Sequence, residues 1–188
     1  YAGLLADNLR RAGNLPVVAA YGWAALVALV LLVGLGLALV SNYATGALPN
    51  HQAIALAHMI LGGFGFMGLL VLGFSHVLVP MFALSAAPPK RPSFIAFILA
   101  TAGVALGGIG ALADSTQVLT AAALVGLGAA ALHLWLMSRA LKSGMRKRLG
   151  HSFVLVRIAW ALLPATLLVG LAALYGLAGS NGPTLFGF

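Results

Sequence analysis

The 188-residue sequence contains no cysteine and no glutamate, and its only acids are Asp7 and Asp114. Without thiols, disulfides, thiolate ligation of haem, iron–sulfur clusters and cysteine catalysis are excluded. With two carboxylates in the whole chain, a carboxylate proton relay or a carboxylate-rich metal site has almost nothing to draw on. Charged residues make up 6% of the chain, where an ordinary soluble domain carries about 25%. Apolar residues fill the space they leave: 62% of the chain is hydrophobic, and the mean hydropathy is +1.09. Five long apolar runs stand out, at 17–40, 54–84, 94–112, 118–141 and 153–178. Each is long enough to cross a hydrocarbon core about 30 Å thick at about 1.5 Å per residue. The expected fold is therefore all-α: a multi-pass transmembrane bundle of about five spans, with residues 1–188 as one domain. There is no internal repeat and almost no buried charge for ion coupling, which argues against a small-solute transporter.

The net charge of +8 is explained by where its sources lie. Arg10 and Arg11 precede the first run, Lys90 and Arg91 separate the second from the third, and Arg139, Lys142, Arg146, Lys147 and Arg148 separate the fourth from the fifth. Arg157 lies about one turn inside the fifth run, close enough to the same surface to snorkel. The alternate loops, 41–53 and 113–117, carry no lysine or arginine. The positive-inside rule then predicts a cytoplasmic N-terminus and an external C-terminus, in a bacterial-type inner membrane. Topology accounts for the basic residues, so the bilayer is the expected partner and nucleic acid is not. The chain opens on Tyr1 with no recognisable cleavable signal peptide, which predicts a trimmed chain or one that begins inside a longer protein.

Chemistry concentrates on histidine. His51 and His151 fall at membrane edges, where a polar residue near headgroups needs no further role. His58, His76 and His133 fall within the apolar runs, where an ionisable side chain is costly and marks a site. His58 and His76 are 18 residues apart, about five helical turns or about 27 Å on one face of a continuous α-helix. Gly62, Gly65 and Gly73 lie between them, a flat stripe suited to a planar macrocycle or to a neighbouring backbone. His76 and His133 lie at similar depth and form a candidate second metal site, although a plain interhelical hydrogen bond serves His133 equally well. Gly63-Phe64-Gly65-Phe66-Met67-Gly68 matches a dinucleotide-binding pattern. It sits mid-span rather than between a strand and a helix start, so it carries no such meaning. Tyr21 and Trp23 are expected at the membrane interface, Gly103, Gly107 and Gly110 on a close-packing face, and Pro164 at a kink.

The stretch from His58 to Pro80 resembles the tenth transmembrane helix of the catalytic subunit of heme–copper oxidases, in particular C-type oxidases and nitric oxide reductases. That helix carries a His-x-His pair, then glycines and a Gly-aromatic step, and ends in Leu-Val-Pro. Here His58, Gly62, Gly65, Phe66, Gly68, Gly73 and Leu78-Val79-Pro80 keep that register without gaps. A weaker likeness continues through Phe97-Ile98-Leu99-Ala100-Thr101-Ala102-Gly103. The resemblance implies that His58 ligates a haem b iron, with Gly62 and Gly65 against the porphyrin. The second family histidine falls at Ile60, and the paired histidines of the family's copper site have no counterpart, so no copper is evident. The chain is therefore not a complete oxidase by itself. The expected function is a haem-binding membrane subunit for electron transfer or gas-ligand binding. Its expected partners are other membrane subunits or an upstream part of the same chain. The alternative is a non-redox structural or assembly subunit with a vestigial haem site.

Overall fold

A computed structural model of the protein describes residues 2–46, 48–145 and 150–177, apart from the Ser152 side chain. All regular structure among the described residues is helical. The short α1 (Ala2–Arg11) precedes α2 (Pro16–Thr45), whose first turn is set by Pro16 at a position where a helix needs no N–H. The next long rod has three parts: α3 (His51–Ile60), a π-helical stretch (Leu61–Gly68) and α4 (Leu69–Ala83). It is followed by α5 (Lys90–Leu112), α6 (Thr116–Ser143) and α7 (Gly150–Leu174). Five helices are long and apolar enough to cross a membrane: Pro16–Thr45, His51–Ala83, Lys90–Leu112, Thr116–Ser143 and Phe153–Leu174. The expected all-α bundle and its five spans match this architecture. Residue 178, the expected end of the fifth span, lies outside the described residues.

Boundaries follow local chemistry. The Asn50 side chain accepts from the Ala53 N–H at 3.0 Å and caps α3. Ser115 caps α6, its hydroxyl oxygen accepting from the Val118 N–H at 3.4 Å. Asp114 takes the left-handed turn conformation just before it, with φ of 48°. The first span overruns its expected end by five residues. Ser41 and Thr45 return their hydroxyls to the carbonyls of Ala38 and Ser41, so a polar stretch stays helical.

The glycines decide how the helices pack. α5 and α6 form the closest pair: a Cβ on Gly103 would lie 3.3 Å from the Gly126 nitrogen, and one on Gly110 would lie 2.9 Å from the Leu119 nitrogen. α2 crosses the second span with equal intimacy. A Cβ on Gly65 would lie 2.9 Å from Ala28 Cβ, and one on Gly73 would lie 2.6 Å from Tyr21 Cβ. Without a hydrophobic drive between helices in lipid, such contact supplies the packing attraction.

The π-helical stretch is not foreseen by a reading that takes the second span as one straight α-helix. Its eight residues, LGGFGFMG, include four glycines, which adopt the wider turn at little steric cost. The stretch also marks a change of partner. Above it α3 packs on α5 and α2, and below it α4 packs on α2 and α6. Tyr21 packs in the same region. It is buried in the bundle against Phe97 and His76, where Gly73 leaves room for it.

The crowding at Gly73 gives a direct test. Gly73→Ala is expected to cost about 1–3 kcal/mol through overpacking against Tyr21, lowering the thermal midpoint in detergent. Gly63→Ala, where no neighbour lies within 4 Å, is expected to change it little.

Candidate functional site

Two separate histidine sites emerge, about five turns apart on the second span. His58, half-buried, approaches α2 at Gly36, where an added Cβ would lie 3.0 Å from the ring. Its Nδ1 is 3.0 Å from the Leu32 carbonyl oxygen. A carbonyl only accepts, so Nδ1 carries the proton and donates, leaving Nε2 as a lone pair. That is the form in which an imidazole ligates a metal, its outer N–H held by a carbonyl.

The glycine stripe beside His58 has a different occupant from the one the oxidase resemblance implies. The Cβ position of Gly62 lies 3.3 Å from a Leu32 methyl, and that of Gly65 lies against Ala28 and Val104. Gly62 and Gly65 therefore receive α2 side chains, and a porphyrin does not fit on that face while α2 is packed there. The donor chemistry at His58 fits a haem iron; the glycine cradle does not.

The second site forms where α4 meets α6. His76 and His133 are both buried, with ring centroids 5.3 Å apart in an edge-to-face contact. Tyr21 packs on His76 at 5.7 Å, and Trp160 of α7 closes on His133 at 6.2 Å. Hydrogen-bond accounting fixes both tautomers. His76 Nδ1 lies 2.9 Å from the Leu72 carbonyl and must donate to it, so Nε2 is bare. Ser75 spends its one hydroxyl proton on the same carbonyl at 2.7 Å. Its oxygen can then only accept from His133 Nε2 at 3.0 Å, which leaves His133 Nδ1 bare.

Neither bare nitrogen has a hydrogen-bond partner among the described residues, and neither does the Tyr21 hydroxyl. Five buried side-chain polar atoms are unpaired in this way, and three of them sit in this one cluster. An unsatisfied buried group costs about 1–3 kcal/mol, so the cluster is expensive as it stands. Sequence reasoning pairs His76 with His133 from depth alone. It misses Ser75 and Tyr21, because neither residue type signals a site in an apolar run.

The remaining histidines differ in kind. Asn42 accepts from the Leu48 N–H through its oxygen, so its amide donates to His51 Nδ1 at 3.1 Å. His51 thus spends the nitrogen lone pair that His58, His76 and His133 keep, and ties α3 to the last turn of α2. His151 is exposed. Among the described residues no group of three or more His, Cys, Asp or Glu comes together. An apolar cavity of about 770 Å³ lies among the second to fifth spans, with Ile60, Phe64, Gly103 and Gly126 in its wall. No histidine lines it, and Ile60 in its wall packs against Gly107.

Comparison with models of protein families, with characterised proteins and with solved structures returned no match. The functional reading therefore rests on the site itself.

The tautomer assignment is checkable. Imidazole nitrogen-15 spectra are expected to show protonated Nδ1 for His58 and His76 and protonated Nε2 for His133 and His51. Ser75→Ala is expected to abolish the preference at His133 alone.

Proposed function

We propose that the chain is an integral-membrane subunit that holds a haem b iron through His58, for electron transfer or gas-ligand binding within a larger membrane complex. One observation carries this reading: the Leu32 carbonyl accepts a hydrogen bond from His58 Nδ1, so the Nε2 lone pair would be free to hold the iron. The bound haem would supply a one-electron couple or an open iron position for a small ligand. The chain's own contribution is to orient the imidazole, through Leu32 and the clearance at Gly36. Gly62 and Gly65 have no part in this form of the proposal. They hold α2 against the second span and so fix the helix that carries the Leu32 carbonyl.

The orientation we propose is N-terminus in the cytoplasm and C-terminus outside, in a bacterial-type inner membrane. It rests on the ten basic residues, all of which belong to alternate loops or to helix ends beside them. The other end of the bundle offers Asp114 and His51 instead.

A second reading is favoured by the glycine face. If Gly62, Gly65 and Gly73 serve only to seat α2, the oxidase-like helix is inherited scaffold, and the chain is a structural or assembly subunit with a vestigial haem site. Absorption spectra of the purified protein, oxidised and dithionite-reduced, separate the two. The haem reading expects a Soret band that shifts on reduction and is lost in His58→Ala. A colourless wild-type protein from cells with ample haem overturns it and leaves the structural reading.

A further inference from the structure

The cluster around His76 carries a proposal independent of His58. Its two bare nitrogens belong to neutral imidazoles in ring contact, each held from behind by a fixed hydrogen bond: His76 by the Leu72 carbonyl, His133 by Ser75. Such outer-shell partners orient ligating histidines in metal sites. Two acceptors side by side cannot satisfy one another, and the neighbouring Tyr21 hydroxyl bonds to neither. A Lewis acid held by both lone pairs removes both deficits at once.

We propose that His76 Nε2 and His133 Nδ1 ligate a single cuprous ion. Imidazole suits copper, zinc, iron and nickel, so the choice among them falls to charge and further donors. The cluster holds no carboxylate or thiolate to compensate a divalent ion in apolar surroundings, where burying uncompensated charge is costly. Structural zinc takes four ligands, and no third His, Cys, Asp or Glu joins the pair among the described residues. The remaining donor types nearby are soft or neutral. Met137, fully buried, stands one turn beyond His133 on the same face of α6, and the Tyr21 ring packs on His76. Thioether donors select monovalent copper. This site is not the oxidase family's copper centre: it lies on different helices and needs no haem.

The test uses the full chain in detergent, loaded with Cu(I) under anaerobic ascorbate and dialysed against a chromogenic Cu(I) chelator. Wild-type protein is expected to retain one copper per chain. His76→Leu and His133→Leu, which replace an unpaired polar ring by an apolar side chain and so spare the packing, are expected to lose it. Ser75→Ala is expected to weaken retention about 10–100-fold, as loss of an outer-shell partner does. His58→Ala is expected to leave copper unchanged, so failure here and failure of the haem reading are distinguishable. No copper on the wild-type chain overturns the proposal, as does equal copper on the His76→Leu/His133→Leu double variant. Zn(II) retained at the same stoichiometry by the same residues overturns the choice of a monovalent ion. If the leucine variants aggregate, copper-edge X-ray absorption of the wild type decides: imidazole scatterers support the site, and their absence sinks it.

Discussion

A main-chain carbonyl inside an apolar bundle accepts protons and never gives one, and that asymmetry organises the chemistry of this protein. At Leu32 it accepts a hydrogen bond from His58 Nδ1; at Leu72 it accepts from both His76 and Ser75. The second of these settles the state of His133 one step further on, because a serine that has given its proton can only receive one. Three imidazoles in apolar helices are thereby aimed, each with one ring nitrogen fixed and the other left over. In water such preferences are weak, since solvent satisfies either nitrogen. In a region without water the helix carbonyl is the partner at hand, and the outcome is fixed.

The Leu32 carbonyl is where it is because glycine lets the helices come close. Ala28 and Leu32 of α2 fit onto Gly65 and Gly62, and Tyr21 fits onto Gly73. That seating brings the Leu32 oxygen to His58 and places the Tyr21 ring on His76. The glycine stripe is thus tied to both histidine sites through the helix it receives rather than through a ligand laid upon it. Packing and site geometry share one set of contacts here.

Much of the architecture was legible in the sequence, for physical reasons that can be named. Apolar runs of 19 residues or more have one stable solution in a bilayer, so the five spans could be read to within a few residues except at Thr45, where hydroxyls folded back onto the helix extend it. The pairing of His76 with His133 was legible from depth. The role of the glycines was only half legible: a small-residue face says that something approaches closely, and does not say what. The burial of Tyr21 was not legible, because it depends on the clearance at Gly73, a contact in space. The tautomers were not legible at all, since they depend on which carbonyl lies within 3.0 Å of a given nitrogen.

The glycine-rich π-helical stretch, finally, makes one continuous rod into two parts keyed at different angles. A wide turn advances fewer degrees per residue than the roughly 100° of an α-helix, so everything below Gly68 is set back around the axis relative to everything above Leu61. On either side of that offset α3 leans on α5 and α4 leans on α6, where His76 meets His133. The wide turn acts as a phase adjuster: a sequence change confined to these eight residues could re-aim the lower face without disturbing the upper one. Two sites on a single helix are free to diverge in what they hold because the coil between them need not keep a constant pitch.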